Sequence, residues 1–288
     1  MILVTGATGF LGRHLMPILT ARYGAEAVAG VCSRDYDLMD PAQVRRMFQE
    51  KRPDVVVHLA AISFVAHGDA ETIYRVNVVG TRNLLEALAS MEQRPRAVLL
   101  ASSANIYGNA AVEIIDELVP PSPSNDYAVS KLAMEFLARL YFDRLPIILA
   151  RPFNYTGVGQ ARNFLLPKIV DHFCRHASVI ELGNLDVARD FSDVRMVAKV
   201  YRRLLETPEA LGGVFNVCSG RAYSLRDILA MVASLSGHSL EVKVNPAFVR
   251  ANDVRVLRGS RAKLESVIGP VDDIGLEETL RWMLGAAA

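Results

Sequence analysis

Short apolar runs alternate with longer stretches of helical period along the first two-thirds of the chain. Ile2 to Val4 is wholly apolar and reads as a buried strand. Leu11 to Ala21 follows as a helix, and Ala27 to Cys32 as a second strand. Asp40-Pro41 reads as an N-cap with Pro at the first helical position, opening a helix that runs through Glu50. Val55 to Leu59 is a third strand, Thr72 to Ser90 a long helix and Ala97 to Ala101 a fourth strand. Asp126 to Tyr141 is a further helix and Pro146 to Ala150 a further strand. This βαβ succession predicts an α/β fold with a doubly wound parallel sheet and helices on both faces.

After Arg151 the rhythm breaks, and Gly, Asn and Pro become frequent. A helix is expected from Phe164 to Arg175, and a strand and turn from Val179 to Leu185. A helix from Val194 to Leu205 and a strand from Val214 to Val217 read as a return to the main sheet, with short helices near Leu225 to Leu235 and Leu276 to Met283. The expected division is a first domain over 1–155, rejoined by about 190–217, and a smaller α/β lobe made mostly of 156–288.

Composition narrows the partners. Lys plus Arg is 32 and Asp plus Glu is 31, a net charge of +1. No global field attracts nucleic acid or an anionic membrane, so neither is an expected partner, and an anionic ligand must be held by local cations. Cys32, Cys174 and Cys218 are widely spaced, which indicates neither a disulfide framework nor a Cys-rich zinc site. No apolar run approaches the ~18 residues that span a bilayer. The opening Met-Ile-Leu-Val leaves no room for a signal peptide, so a cytoplasmic location is expected.

Gly6, Gly9 and Gly12 follow the first strand and, with Phe10 and Leu11, open a helix. Glycines there permit a tight turn and close approach to a pyrophosphate, which the helix N-terminus attracts. Together with the βαβ unit this predicts a Rossmann-type dinucleotide site. The end of the second strand should read the adenosine ribose. An acid near Cys32 would bond a 2′-hydroxyl, but Ser33 and Arg34 follow instead, and Arg accommodates a 2′-phosphate. NADP(H) is therefore favoured and NAD(H) possible, with Asp35 the alternative ribose ligand. Asp37 and Leu38 are placed along the adenine edge, and Leu59, Ala60 and Ala61 where the cofactor passes. Asn77 is read as organising the site through a backbone contact, or as satisfying its own buried turn.

Ser102-Ser103 closes the fourth strand, at the carboxyl end where parallel sheets carry chemistry. Tyr127 and Lys131 stand four residues apart and share a helix face. A free phenol has a pKa of about 10, and an adjacent ammonium stabilises its phenolate. This set predicts hydride chemistry at a carbonyl or alcohol. His172 and His176 have metal-ligand spacing but read as a solvated face, and no metal site is expected. Arg45-Arg46 and Arg202-Arg203 read as exposed helix charges, and Cys218 as core.

These motifs resemble the extended short-chain dehydrogenases/reductases that act on nucleotide sugars. The resemblance covers Thr5 to Gly12, His58 to Ala61, Asn77-Val-Val-Gly-Thr81, Ser102 to Gly108, Tyr127-x-x-x-Lys131 and Arg151-Pro-Phe-Asn154. The spacing of Tyr107-Gly108 from the serines points to Ser103, rather than Ser102, as the catalytic hydroxyl, beside Tyr127 and Lys131. Glu181 to Phe191, followed by Asp193-Val-Arg, resembles the branch containing GDP-mannose 4,6-dehydratases and GDP-4-keto-6-deoxymannose reductases. That resemblance implies Asn154, Lys168, Arg189 and Arg250 as ligands of the GDP moiety, with Ser63 and Phe64 near the hexose. It also implies a homodimer paired through the helices Thr81 to Ser90 and Ala128 to Leu140. Dehydratases carry an extra acid just after the catalytic hydroxyl, where this chain has Ala104 and Asn105. The expected reaction is therefore reduction of a GDP-linked 4-keto-6-deoxyhexose, to the rhamno or the talo product. A 4-epimerase, a 4,6-dehydratase and a non-catalytic dinucleotide sensor are the alternatives.

Overall fold

The computed structural model describes residues 1–63, 69–110, 112–248 and 256–287. In chain order, β1 (Ile2–Thr5), α1 (Phe10–Tyr23), β2 (Val28–Val31), α2 (Pro41–Lys51) and β3 (Val55–His58) are followed by α3 (Ala70–Tyr74), a π-helical segment (Arg75–Gly80) and α4 (Thr81–Ala89). Then come β4 (Ala97–Ala101), α5 (Asp126–Arg139), β5 (Ile147–Pro152), β6 (Asn154–Thr156), α6 (Leu165–Cys174), β7 (Val179–Leu182), β8 (Ala188–Asp193), α7 (Val194–Glu206) and β9 (Val214–Val217). The described remainder holds β10 (Ala222–Ser224), α8 (Leu225–Ser236), β11 (Glu241–Val244), β12 (Val256–Leu257), α9 (Ala262–Ile268) and α10 (Leu276–Ala287).

The main sheet runs β2-β1-β3-β4-β5-β9 with every pairing parallel. Alternate residues on each strand feed opposite layers. Ile2 and Val4 join α1 and α7 in one core, whereas Leu3 joins α2, α4 and α5 in the other. A fully buried Leu such as Leu3 or Leu99 is worth about 1.5–3 kcal/mol over leaving it exposed. The chain leaves β1 for β2 on one side and crosses back to β3 on the other. The crevice at this switch in strand order lies beyond the carboxyl ends of β1 and β3, where open α/β sheets bind ligands.

A smaller unit stands beside that edge. β8 pairs with β6, β10 and β12, β7 pairs with β11, and α6, α8 and α10 close over a separate apolar cluster. α7 packs on α1 and β9 pairs with β5, so both belong to the main layers, while β8 lies in the smaller sheet.

The α/β, Rossmann-type sheet is the one the apolar runs foretold, with three differences in detail. The expected helix over 72–90 is broken by the π-helical segment, whose extra residue per turn turns Asn77 inward. Ala188–Asp193, to which the sequence assigned no element, is a strand. Arg202 and Arg203 are half-buried instead of exposed: Arg202 pairs with Glu206 at 2.7 Å, and Arg203 donates to the carbonyls of Ile268 and Pro270. Asp40 caps α2 as expected, accepting from the amides of Ala42 and Gln43. Among the described residues no helix is long and apolar enough to cross a membrane.

Candidate active site

The glycine turn is built by exclusion of side chains. Gly6 has φ +68°, and a Cβ on it would lie 2.7 Å from the Ala60 amide nitrogen. A Cβ on Gly12 would lie 2.5 Å from the carbonyl oxygens of Gly6 and Ala7. The turn after β1 thus lies backbone to backbone against the turn after β3, and Gly9 caps a helix whose first amides point into the crevice. This bare cradle fits a dinucleotide pyrophosphate. Leu11 is buried, and Phe10 stacks on Tyr155 of β6 with ring centroids 5.8 Å apart. Beneath the cradle, His58 bonds Thr5 at 2.7 Å and Thr81 at 3.1 Å. Burial, with the Lys131 charge as a second cause, pushes the His58 pKa down to about 3, so the ring is neutral.

Ser33 and Arg34 are exposed at the tip of the turn that follows β2. The Asp35 carboxylate folds back to accept from the Cys32 amide at 2.7 Å, which holds its pKa below the usual range. Asp37 is also occupied locally, accepting from the Met39 amide at 2.8 Å, and Leu38 packs against Gly80. Leu59, Ala60 and Ala61 are half-buried on the crevice side of β3, and Ser63 is exposed just beyond. Asn77 makes a backbone contact: its Oδ1 accepts from the Ile62 amide at 2.9 Å, and its Nδ2 donates to the Ile62 carbonyl at 3.1 Å. The same Nδ2 donates to Ser130 Oγ at 3.0 Å, and Ser130 Oγ donates to the Tyr127 carbonyl at 2.7 Å. One amide therefore links the backbone after β3 to the first turns of α5.

Ser103, Tyr127 and Lys131 are all buried at the end of β4. Burial raises the Tyr127 pKa, and the Ser103 hydroxyl beside it opposes the rise. The Lys131 ammonium donates to the Ala101 carbonyl at 2.7 Å. Burial pushes its pKa down to about 8, against the pull of Glu135. The two serines face different ways. Ser102 Oγ donates to Glu135 at 2.5 Å, whereas Ser103 Oγ accepts from both the amide and the side chain of Asn105, each at 3.2 Å. With both lone pairs of Ser103 engaged, its O–H is left to donate outward.

Sequence reasoning missed the support beneath. Glu135 continues the face of Tyr127 and Lys131 by one more turn, and that spacing was its available signal. It pairs with Arg151 through two hydrogen bonds, at 2.9 and 2.6 Å. Arg151 also donates to the Tyr107 hydroxyl at 2.8 Å, which donates to Asn216 at 2.8 Å.

The residues assigned to the substrate separate into groups. Asn154 of β6 pairs in register with Phe191 of β8, and its amide donates to the Asp190 carbonyl at 3.4 Å, beside Arg189. Asp190 is buried and accepts from Ser219, Gly220 and Gly259, which fixes β8 here. Lys168 of α6 is tied to β7, donating to the Glu181 carbonyl at 2.8 Å and lying over the Phe248 ring. Phe64 and Arg250 lie outside the described residues; β12, a few positions after Arg250, pairs with Arg189 through Leu257. His172 bonds the Lys168 carbonyl, and His176 packs edge-on against His238. Cys218 is buried, and burial raises its thiol pKa.

A family model for NAD dependent epimerases and dehydratases matches residues 2–218. The chain belongs to the NAD dependent epimerase/dehydratase family. Two relatives in the family are each 37% identical to it. One is GDP-6-deoxy-D-talose 4-dehydrogenase of Aggregatibacter actinomycetemcomitans, matched over 93% of this chain and 91% of that protein. The other is GDP-6-deoxy-D-mannose reductase of Pseudomonas aeruginosa, matched over 98% and 95%. A crystal structure of a candidate epimerase from Burkholderia cenocepacia J2315 superposes with TM-score 0.91 and 49% identity, covering 99% of this chain and 97% of that one. RMD from Pseudomonas aeruginosa, complexed with NADPH, gives TM-score 0.89 and 34% identity, covering 99% and 98%.

Proposed function

We infer that this family member reduces the C4 ketone of GDP-4-keto-6-deoxy-D-mannose with NAD(P)H, NADPH being favoured. The product is GDP-D-rhamnose or GDP-6-deoxy-D-talose. The observation that carries this reading is the buried Tyr127 phenol beside the buried Ser103, with Ala104 and Asn105 at the next positions, where an eliminating enzyme needs an acid. The relatives support the substrate. 6-Deoxy-D-talose and 6-deoxy-D-mannose are C4 epimers, so one 4-ketone is common to a 4-dehydrogenase of the first and a reductase named for the second.

The nicotinamide supplies hydride to C4 when bound. Gly6, Gly9 and Gly12, with Phe10 and Leu11, hold its pyrophosphate at the α1 N-terminus, and Ser33 and Arg34 hold a 2′-phosphate. Asp37, Leu38 and the Leu59–Ala61 segment line the adenosine side, and Asn77 fixes that segment. Ser103 donates to the ketone oxygen and polarises it. Tyr127 delivers the proton to the same oxygen, and Lys131, one turn along α5, offsets the charge left on the phenol. Arg189, Asn154 and Lys168 bind the GDP moiety together with Arg250, and Ser63 and Phe64 flank the hexose. Arg suits phosphate because its planar fork bonds two oxygens at once.

The test supplies GDP-4-keto-6-deoxymannose with NADPH or NADH and follows nicotinamide oxidation, with product configuration read by NMR. Oxidation is expected with NADPH, and Arg34→Ala should erode the preference over NADH by roughly 10–100-fold, the value of one charge-assisted hydrogen bond. No oxidation with either cofactor sinks the reading. Consumption of GDP-mannose without added reductant would mark a dehydratase, and C4 inversion without net oxidation an epimerase.

The outer face of α5 supports a homodimer. Val129, Phe136 and Leu140 are 38%, 57% and 74% exposed and fall on one stripe. Sedimentation should give twice the 31.6 kDa chain mass. Phe136→Glu with Leu140→Glu should give the single-chain mass, and a wild type already at that mass would refute the dimer.

A further inference from the structure

Glu135 plays no part in the reaction described above, yet it joins the elements that carry it. Its side chain is 1% exposed and that of Arg151 is 4% exposed. Oε1 accepts from Ser102 Oγ at 2.5 Å and from Arg151 Nε at 2.9 Å, and Oε2 accepts from Arg151 Nη2 at 2.6 Å. Ser102 stands between Ala101, whose carbonyl takes the Lys131 ammonium, and Ser103, which meets Tyr127. One carboxylate on α5 is thereby fastened to the end of β4, between those two contacts, and through Arg151 to β5.

The titratable groups that face Lys131 are Tyr127 and Glu135 on its own helix and His58 from β3, with Arg151 of β5 and Tyr107 of the turn after β4 behind Glu135. His58 is neutral, with its pKa down at about 3. Burial and Glu135 are the causes that set the Lys131 pKa, and they act in opposite directions.

We propose that Glu135 is a positioning residue that, through Ser102 and Arg151, sets the spacing of Ser103 against Tyr127 and Lys131 and places a buried carboxylate one helical turn from the Lys131 ammonium. Ser102, the serine that does not meet the substrate, is the mechanical half of this clamp. The kinetic consequences rest on the reductase reading; the titration of Lys131 does not.

Two variants separate the halves. Glu135→Gln removes the carboxylate charge while its carboxamide oxygen still accepts from Ser102 or Arg151, and a cooperative melt checks that the guanidinium left without its counter-charge has not unfolded the chain. Ser102→Ala does the converse. With ε-¹³C-labelled lysine, NMR follows the six lysines, and Lys131→Met assigns the resonance. In Glu135→Gln the Lys131 midpoint should fall by about one pH unit or more, a tenfold loss of proton affinity. The alkaline limb of kcat/KM should fall with it, because the ammonium is lost at lower pH once the group that raises its pKa is removed. In Ser102→Ala the midpoint should stay, and kcat should drop about tenfold with KM within about twofold. An unmoved midpoint in Glu135→Gln, with a cooperative melt retained, overturns the electrostatic half. Wild-type kcat in Ser102→Ala overturns the mechanical half. A wild type that oxidises no NADPH with the sugar refutes the reductase and leaves the midpoint to decide the charge.

Discussion

Tyr127→Phe is expected to lower kcat for ketone reduction by about a thousandfold while NADPH affinity stays within about twofold. Phe keeps the ring, which is 7% exposed and packed in the core, so folding should be unaffected. What is lost is the proton. Burial raises the phenol pKa above its ordinary value, so the group is protonated throughout the neutral range. That is the form a reductase needs, because the ketone oxygen must receive a proton as hydride arrives. Reduction should therefore hold through neutral pH and decline on the alkaline side, first as the Lys131 ammonium is lost near its pKa of about 8 and then as the phenol ionises. Oxidation of the product alcohol needs the phenolate and should rise as the phenol ionises. Stopped-flow measurement of both directions checks the sign. A Tyr127→Phe variant within tenfold of wild type would show that another group delivers the proton, and would also remove the reason for reading the cluster as a reductase site.

The candidate site was legible where its residues follow a local rule. The glycines need positive φ or close approach, Tyr127 and Lys131 need one helix face, and a strand end suits either serine, Ser103 being singled out by the resemblance. The buried supports follow no such rule. Ala188–Asp193 did not read as a strand because Asp190, Ser192 and Asp193 are buried where an apolar residue would be expected. Asp190 is compensated by amides from Ser219, Gly220 and Gly259, residues distant along the chain. The π-helical segment was hidden for a related reason. Its apolar content suits an ordinary helix, and what distinguishes it is the tie from Asn77 to Ile62 across the crevice. Glu135 was passed over as one more helix carboxylate, since the arginine that makes it a clamp comes from β5. In each case the missing information is the partner, and partners are set by strand order.

Strand order also fixes the second large effect. Gly6→Ala should destabilise the protein by about 3 kcal/mol, from roughly 1–2 kcal/mol of left-handed backbone and about 1–3 kcal/mol of overpacking. Melting should fall by roughly 5–10 °C for a chain of this size. The backbone φ of +68° is one part of the cost. The other is the new Cβ, 2.7 Å from the Ala60 nitrogen, where the obstacle is backbone and cannot rotate aside. Relief requires the turns after β1 and β3 to part, and those turns form the cradle for the pyrophosphate. NADPH affinity should therefore fall at least tenfold, beyond what lost stability explains, as read by fluorescence titration well below the melting point. Gly237 separates the two terms. It shares the φ of +68°, but a Cβ added there would meet nothing within 4 Å, and it lies at the end of α8, outside the cradle. Gly237→Ala should cost only the backbone term, about 1 kcal/mol, and leave NADPH binding unchanged. Equal losses of affinity in the two variants would mean that strain anywhere in the chain weakens the cofactor site. A loss confined to Gly6→Ala ties binding to the contact between the two turns.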